Sequence, residues 1–372
     1  MTVSEVVNLV IGLLGIIVAF VMFWSLPVPF SASRDHPRLP FLSIIIPARN
    51  EAGRIAPLLN SLQEQNFRSF EVLVVDDHST DNTATVAESY GAQVLHNESD
   101  GSGAGKSMAC WYGARQAKGE WLLFLDADTY FTQADSLKNL LFSYQLKGAR
   151  GILSLQPFHT VHRMYENLSA VFNIIVIVGM NTFTIWGDRF KTAGSFGPSI
   201  LCNKDDYFLT GGHEKIHEAL MDDLVLGQAF LDQKLPVYCL GGKGILSFRM
   251  YPEGLKELIE GWCKSFALGS KSTHPVVMLM VIIWISGSFT TTTALISSIA
   301  GGDFVAMAFS GIVYILYAVQ TAWFARRCGN FKWPLFLLFP LLFLFFTGIY
   351  VYSLFRVNVL HSVNWKGRKI DV

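Results

Sequence analysis

Two carboxylates on a two-residue spacing are the first residues of this chain whose types suggest chemistry. Asp126 and Asp128 directly follow the apolar run 121–125, which predicts a buried strand. Such a strand delivers both side chains to the carboxyl edge of a sheet, where ligands of open α/β sheets bind. Two carboxylates there can hold one hard divalent cation, which the phosphates of a substrate usually also bind. Alone the motif is weak, because Asp-x-Asp turns are common in loops.

A second acidic pair, Asp76-Asp77, ends the predicted strand 71–75. These residues can be turn formers and a helix N-cap, or they can accept hydrogen bonds from a base N–H or a ribose hydroxyl. The segment 47–51, Pro-Ala-Arg-Asn-Glu, follows the first predicted strand and allows the same two interpretations.

A third acidic pair, Asp222-Asp223, stands at the start of a predicted amphipathic helix. Acidic side chains there suit the helix dipole, and one of them is also placed to take a proton from an attacking hydroxyl. Lys106 ends a Gly-rich loop that lacks P-loop spacing, because Asp100 occupies the position of the required glycine. At a predicted helix start, Lys106 can still reach a diphosphate as a point charge.

The elements that must position these residues alternate between strand and helix. The predicted strands are 41–46, 71–75, 92–95 and 121–125, and the predicted helices are 52–65, 81–90 and 106–117. This alternation predicts an α/β fold with a parallel or mostly parallel sheet. The apolar stretch 168–185 is interpreted as a buried or interfacial helix, because a membrane crossing there would separate Asp128 from Asp223.

A shortage of charge marks the two ends of the chain as membrane regions. Of the 372 residues, 16% are charged, against about 25% in soluble proteins. Four apolar segments approach the ~20 residues of a membrane helix: 6–26, 275–299, 304–324 and 334–355. No basic residue precedes the first one, which therefore predicts an uncleaved anchor rather than a signal peptide.

The positive-inside rule predicts the topology of a multi-pass protein of the cell membrane. The predicted parts are a membrane anchor at 1–29, a cytoplasmic domain at 30–272, and a C-terminal membrane region with a short basic tail at 273–372. Arg326 and Arg327 favour a cytoplasmic loop between the last two segments. Pro340 is predicted to break the last segment into a re-entrant hairpin, which would return the basic tail to the cytoplasm.

Composition disfavours several classes of protein. The formal net charge is zero, which gives no sign of a nucleic-acid partner. The five cysteines form no Cys-x-x-Cys pair and indicate neither a disulfide framework nor a zinc site. A dinucleotide-dependent oxidoreductase is disfavoured because no Gly-x-Gly-x-x-Gly follows the first predicted strand.

The order of these motifs resembles the family 2 glycosyltransferases of GT-A fold. The resemblance runs from residue 41 to 268 and rests on Pro-Ala-Arg-Asn-Glu, Val-Val-Asp-Asp, Gly-Lys-Ser, Asp-Ala-Asp, Thr-Gly-Gly, Asp-Asp-x-x-Leu-Gly and Gly-Trp-x-Lys. It implies a Rossmann-like mixed α/β sheet with helices on both faces, joined to transmembrane helices. Segments 153–158, 248–254 and 363–368 further resemble the members of the family that act in carotenoid biosynthesis.

The resemblance implies a role for each motif. The residues implied for binding a UDP-sugar are Pro47, Arg49, Glu51, Asp76, Asp77, Lys106, Asp126, Trp262 and Lys264. Asp126 and Asp128 would carry Mg²⁺ or Mn²⁺, and Asp223 would be the base, with Asp222 as the alternative. Trp262 and Lys264 would belong to a loop that closes over the diphosphate, although Trp and Lys are also common membrane-interface anchors.

The implied activity is an inverting transfer of one glucose from UDP-glucose to the carboxylate of a C30 carotenoid acid. Residues 259–262 lack the Gln and Arg of the Gln-x-x-Arg-Trp motif of processive members, so a single transfer is expected. A carboxylate acceptor has a pKa near ~4 and hardly needs a base. An intact acidic pair suits a hydroxyl acceptor, so another membrane lipid or a polyisoprenyl phosphate stays an alternative. A non-catalytic membrane scaffold is a third hypothesis, against which the complete acidic set argues.

Overall fold

The computed structural model describes residues 3–31, 38–97, 105–216, 219, 221–269, 272–359, 362–365 and 368–371. The chain divides into two compact units, each assembled from separate stretches of sequence. The first unit comprises Met1–Leu26, Thr160–Lys191 and Met250–Val372, and the second comprises Pro27–His159 and Thr192–Arg249. The range 30–272, predicted as one domain, therefore contributes residues to both units.

The second unit is built on a mixed sheet. The strands of this unit, in chain order, are β1 Leu42–Ala48, β2 Phe70–Asp76, β3 Gln93–His96, β4 Trp121–Leu125, β5 Thr129–Phe131, β6 Ile152–Gln156, β7 Phe158–His159, β8 Ser199–Asn203, β9 Val237–Gly241 and β10 Leu246–Phe248. The main sheet has the order β3-β2-β1-β4-β8-β6-β9, and β5, β10 and β7 form a smaller one. Strand β8 runs antiparallel to β4 and β6, and the other neighbours in the main sheet are parallel.

The helices connect these strands and form most of the first unit. In chain order they are α1 Val3–Met22, α2 Ala56–Gln63, α3 Thr83–Ser89, α4 Lys106–Gln116, α5 Ser136–Leu146, α6 Ala170–Gly179, α7 Lys204–Leu209, α8 Asp222–Asp232, α9 Leu255–Gly269, α10 Pro275–Gly301, α11 Phe304–Cys328 and α12 Phe339–Asn358. A short hairpin of β11 Ser362–Trp365 and β12 Arg368–Asp371 ends the described chain. Every predicted strand and helix before residue 126 is present, with ends that differ by a few residues.

Alternate side chains of β1 enter two different cores, because successive residues of a strand point to opposite faces. Ile44 packs in one core with Leu58 of α2. Ile45 packs in the other core with Ala109 of α4 and Phe230 of α8. Helices therefore cover both faces of a mixed sheet, which confirms the predicted fold class.

Four helical segments of the described chain are long and apolar enough to cross a membrane. They are Val3–Met22, Pro275–Gly301, Phe304–Cys328 and Trp333–Asn358, and they coincide with the four predicted segments. Helices α1 and α10 approach closely where Gly15 meets Gly287, and a Cβ on either glycine would overlap the hydroxyl of Tyr317. All four segments belong to the first unit.

The prediction that Pro340 breaks the last apolar segment is wrong. Pro340 lies in the first turn of α12, where its missing N–H has no intrahelical partner to lose and costs little. The 3₁₀ helix Trp333–Leu338 leads directly into α12, and together they form one apolar helical segment from Trp333 to Asn358. The re-entrant hairpin is therefore not formed.

The apolar stretch 168–185 forms a short buried helix rather than a long one. Helix α6 spans 10 residues, and most of its side chains are buried. It is preceded by the 3₁₀ helix Met164–Ser169. The predicted interpretation as a buried helix is confirmed.

Candidate active site

Asp126 and Asp128 lie at the carboxyl end of β4, on the turn that leads into β5. The Asp126 backbone N–H donates to the Pro198 carbonyl at 3.0 Å. Thr129 donates to the Asp126 carbonyl through its N–H, at 3.1 Å, and through its hydroxyl, at 2.8 Å. Hydrogen bonds on both sides therefore fix the backbone that presents the two carboxylates.

Lys106 joins two of the three predicted acidic motifs. It is the first residue of α4, and its Nζ lies 2.9 Å from Asp126 Oδ1 and 3.5 Å from Asp223 Oδ1. Burial lowers the pKa of Lys106, but the surrounding carboxylates, first that of Asp126, outweigh burial and raise the pKa well above its ordinary value. Lys106 is therefore a permanent cation in this site, at a helix start as predicted.

The structure gives different surroundings to the two residues of the acidic pair that begins α8. Asp222 Oδ2 accepts from Ser107 Oγ at 3.0 Å, and Asp222 Oδ1 accepts from the Asp223 backbone N–H at 3.1 Å. Burial, together with the charges of Asp222 and Asp126, raises the pKa of Asp223 to about 7, although Lys106 acts in the opposite direction. Asp222 is thus engaged in local hydrogen bonds, whereas Asp223 has the pKa of a base that works near neutral pH.

Close backbone contacts hold Asp223 in place. Ser195 Oγ donates to the Asp223 carbonyl at 2.6 Å. A Cβ added at Gly197 would overlap the Asp223 carboxylate, so only glycine leaves room for that side chain. Sequence reasoning missed Ser195 and Gly197, because their contact with Asp223 depends on how the segment before β8 meets α8 and not on any local pattern.

A buried histidine lies near the same cluster. His213 donates its backbone N–H to the Tyr207 hydroxyl at 3.1 Å, and that hydroxyl lies 2.9 Å from His213 Nδ1. The hydroxyl and Nδ1 therefore form a buried hydrogen bond, and the same hydroxyl accepts from the His213 backbone. Burial lowers the pKa of His213 to about 4, Lys106 acts in the same direction, and Asp222 opposes them.

The carboxylates of Asp126 and Asp128 fit a divalent cation. Burial, together with the charges of Asp126 and Glu51, raises the pKa of Asp128 to about 7, while Arg54 opposes them. A divalent cation would relieve this repulsion, and carboxylate oxygen is the ligand that Mg²⁺ and Mn²⁺ prefer. No group of three or more metal-binding side chains occurs in the part of the chain that the structure describes.

The ends of β1 and β2 bring the remaining acidic pair to the same edge of the sheet. Asp77 Oδ2 accepts from Arg49 Nη1 at 3.5 Å, a long charge-assisted contact, and Asp77 Oδ1 accepts from Asn97 Nδ2 at 3.0 Å. Asp76 Oδ1 is buried without a hydrogen-bond partner among the described residues. A buried acceptor of this kind is costly to leave unsatisfied. It therefore marks a place where a ligand N–H or hydroxyl would be stabilised.

The loop after β1 is held against the loop after β2. Pro47 lies opposite Val75 in the parallel ladder, and the Glu51 N–H donates to Thr83 Oγ1 at 2.9 Å. The negative charge of Glu51 also raises the pKa of Asp128. Glu51, one of the predicted nucleotide residues, therefore lies near the predicted metal residues. Part of the Gly-rich loop before Lys106, 101–104, lies outside the described residues.

Trp262 and Lys264 do not belong to a loop. Both lie in α9 of the first unit. Trp262 is buried, donates from Nε1 to Ser169 Oγ at 2.9 Å, and stacks on Phe172 with ring centroids 4.9 Å apart. The predicted closing loop is wrong as secondary structure, because the apolar periodicity of 255–269 favours a helix. The other predicted site residues all belong to the second unit.

Comparison with known proteins identifies the family of this chain. The model of the family described as "Glycosyl transferase family 2" matches residues 43–180. The chain is 40% identical over 333 residues to the 4,4'-diaponeurosporenoate glycosyltransferase of Staphylococcus aureus strain MRSA252, which covers 89% of this chain and 88% of that protein. The protein of the same name from strain USA300 is 39% identical over the same shares of both chains.

The fold is also that of a solved glycosyltransferase. The mannosyltransferase PcManGT from Pyrobaculum calidifontis, solved in complex with GDP-Man and Mn²⁺, aligns with a TM-score of 0.57 and 15% identity. The alignment covers 94% of this chain and 99% of that one. This likeness shows a common fold, and the extended identity to the curated relatives shows the family. The chain is a glycosyltransferase that belongs to glycosyl transferase family 2.

Proposed function

We propose that this enzyme transfers one glucose from UDP-glucose to the carboxylate of a C30 carotenoid acid and inverts the anomeric carbon. The acceptor is supported by the name of relatives that are 39–40% identical over 89% of the chain. The observation that carries the chemistry is the contact of Lys106 with both Asp126 and Asp223. These contacts bring together a cation, a carboxylate proposed to bind the metal and a carboxylate proposed as the base. They lie at one edge of the sheet, where ligands of α/β sheets bind.

The donor would bind along the ends of β1, β2 and β4. Asp76, with its unsatisfied buried oxygen, and Asp77 would accept hydrogen bonds from the uridine. Pro47, Arg49 and Glu51 would form the facing wall. Asp126 and Asp128 would hold Mg²⁺ or Mn²⁺, which when bound stabilises the negative charge that develops on departing UDP.

The protein's own groups would direct the displacement. A carboxylate oxygen of the acceptor forms a bond to the anomeric carbon while the bond from that carbon to the β-phosphate oxygen breaks, and UDP leaves with the electron pair. Lys106 would add positive charge near the leaving group. Holding acceptor and donor in line contributes much of the remaining rate.

A second candidate acceptor is a hydroxyl of another membrane lipid. A carboxylic acid with a pKa near ~4 is already ionised at neutral pH and needs no base. The raised pKa of Asp223, about 7, is more useful for a hydroxyl, whose proton must be removed as it attacks. The raised pKa of Asp223 therefore favours a hydroxyl acceptor as the second candidate.

The apolar segments would hold the enzyme in the membrane, where an apolar acceptor is dissolved. We propose that the four long apolar helices cross the cell membrane and that the catalytic residues face the cytoplasm. The basic pair Arg326 and Arg327 in the last turn of α11 supports this orientation. Trp262 would fix α9 by its packing within the first unit.

Product analysis tests the proposed acceptor. Membranes from cells that express the full chain would be supplied with UDP-glucose and a C30 carotenoid acid, and pigments and lipids would be analysed by mass spectrometry. We expect a glucosyl ester of the carotenoid acid. A glucosylated lipid hydroxyl with no ester would favour the second candidate. Absence of any glucosylated product from a folded, UDP-binding protein would contradict both.

A further inference from the structure

The ammonium of Lys106 is bound by carboxylates with two different roles in the proposed reaction. Its Nζ lies 2.9 Å from Asp126 Oδ1 and 3.5 Å from Asp223 Oδ1. Asp126 belongs to the proposed metal pair, and Asp223 is the proposed base. One lysine side chain therefore contacts both groups and offsets part of their combined negative charge.

Lys106 and a divalent cation compete for Asp126. Both are positive, so they repel each other when they contact the same carboxylate. Among the described residues, no group of three or more acidic, histidine or cysteine side chains could hold a metal ion. A metal that binds Asp126 in the absence of a donor would have to displace the ammonium of Lys106 from that carboxylate.

The diphosphate of a donor changes this competition. Phosphate oxygens attract an ammonium strongly, and lysine carries its charge on a flexible stem. The Lys106 side chain is 34% exposed, so it can turn toward a ligand while α4 stays folded. The N-terminus of α4, which Lys106 begins, favours an anion at the same place.

We infer that Lys106 is an internal cation that occupies the Asp126 and Asp223 carboxylates until the donor diphosphate draws it away and a metal takes its place. The inference rests on the proposed function, and it makes metal binding depend on the donor. It also frees Asp223 from its ion pair only when a donor is present. Lys106 is then a positioning residue that couples the two binding events.

Metal binding without turnover tests the inference. Three full-length proteins in detergent would be titrated with Mn²⁺ by calorimetry: wild type, Lys106→Met and Lys106→Arg. Each titration would be done with and without UDP. Without UDP, we expect Lys106→Met to bind Mn²⁺ about tenfold more tightly than wild type, within the 5–150-fold range typical of coupled sites. Lys106→Arg keeps the charge and should resemble wild type.

Lys118→Met provides the matched control. Lys118 is an exposed lysine whose Nζ lies 3.9 Å from Glu71, so its loss should leave Mn²⁺ binding unchanged. If Lys106→Met binds Mn²⁺ no more tightly than wild type without UDP, while both bind it with UDP, the inference is wrong and the metal site stands. If neither binds Mn²⁺ even with UDP, the proposed metal site fails and the inference fails with it.

Asp126→Asn gives a reciprocal measurement that does not depend on the folding of the lysine variants. This change removes one of the two carboxylates that hold Lys106. In the presence of EDTA, we expect the variant to bind UDP several-fold more tightly than wild type, because the ammonium is freer to contact the diphosphate. Unchanged or weaker metal-free binding would overturn the inference.

Discussion

Lys106 Nζ and Asp126 Oδ1 lie 2.9 Å apart, so the first residue of α4 forms an ion pair with the first residue after β4. The same ammonium lies 3.5 Å from Asp223 at the start of α8. Three elements that are distant in sequence thus present one charged group each to a common point. Substitution of any of the three alters the electrostatic surroundings of the other two.

Asp128→Asn should remove metal-dependent activity. The amide keeps the shape of the side chain but loses the charge that would hold the cation against the diphosphate. We expect kcat to fall by about 10²–10³-fold, as for other losses of charge stabilisation in a transition state, when UDP release is followed with Mn²⁺ present. Asp232→Asn, at the exposed end of α8, is the control, and normal turnover by Asp128→Asn would contradict the proposed metal role.

Substitutions in the acidic pair should separate the two candidate acceptors. With a hydroxyl acceptor, Asp223→Asn should lower kcat by about 10²–10⁴-fold, the usual value of a general base. With a carboxylate acceptor, the same variant should keep most of its activity. Asp222→Asn keeps one oxygen to accept from the Asp223 N–H but loses the oxygen that accepts from Ser107 Oγ. We therefore expect a loss of about tenfold or less, the size of one hydrogen bond.

Steady-state kinetics with both acceptors would measure this difference. Equal, large losses in Asp222→Asn and Asp223→Asn with each acceptor would argue against distinct roles for the two carboxylates.

Gly197→Ala should displace the Asp223 carboxylate. The added methyl would overlap that side chain, so either the carboxylate or the segment before β8 must move. A shift of this kind should lower kcat with a hydroxyl acceptor while UDP binding is retained. Gly311→Ala, whose added methyl meets no atom within 4 Å, is the control. Full activity of Gly197→Ala would show that the position of Asp223 is not critical.

His213 should make stability depend on pH. The pKa of His213 is lowered from 6.5 to about 4, so between those values the unfolded chain binds more protons on this residue than the folded protein does. The contribution of His213 to the free energy of unfolding therefore rises with pH across that window and is constant above it.

Comparison with His213→Phe isolates this contribution. The variant loses the hydrogen bond between the Tyr207 hydroxyl and Nδ1 and should be less stable by about 1 kcal/mol at pH 7.5. At pH 5 the difference should vanish or change sign, because wild type alone must then keep its buried ring unprotonated, at a cost of about 2 kcal/mol. Thermal unfolding in detergent at the two pH values measures it, and an equal difference at both would refute the buried neutral state.

Local patterns in the sequence predicted the parts of the site that follow strands or begin helices. The run before Asp126 is apolar and β4 forms there, and the acidic pair at Asp222 begins α8, because both signals act within a few residues. The surroundings of Asp223 could not be predicted, since Gly197 and Ser195 reach it only through tertiary packing. Trp262 was misplaced in a loop because a motif indicates a role but does not fix secondary structure.

The two parts of the second unit are separated along the chain by Thr160–Lys191, a stretch that belongs to the first unit. Within the first unit, Phe172 from that inserted stretch packs on Phe346 of α12, with ring centroids 5.0 Å apart. During synthesis, Phe172 emerges from the ribosome long before its partner does. A truncation that removes the C-terminal membrane helices to obtain a soluble transferase would therefore leave an aromatic surface uncovered, and such fragments should aggregate.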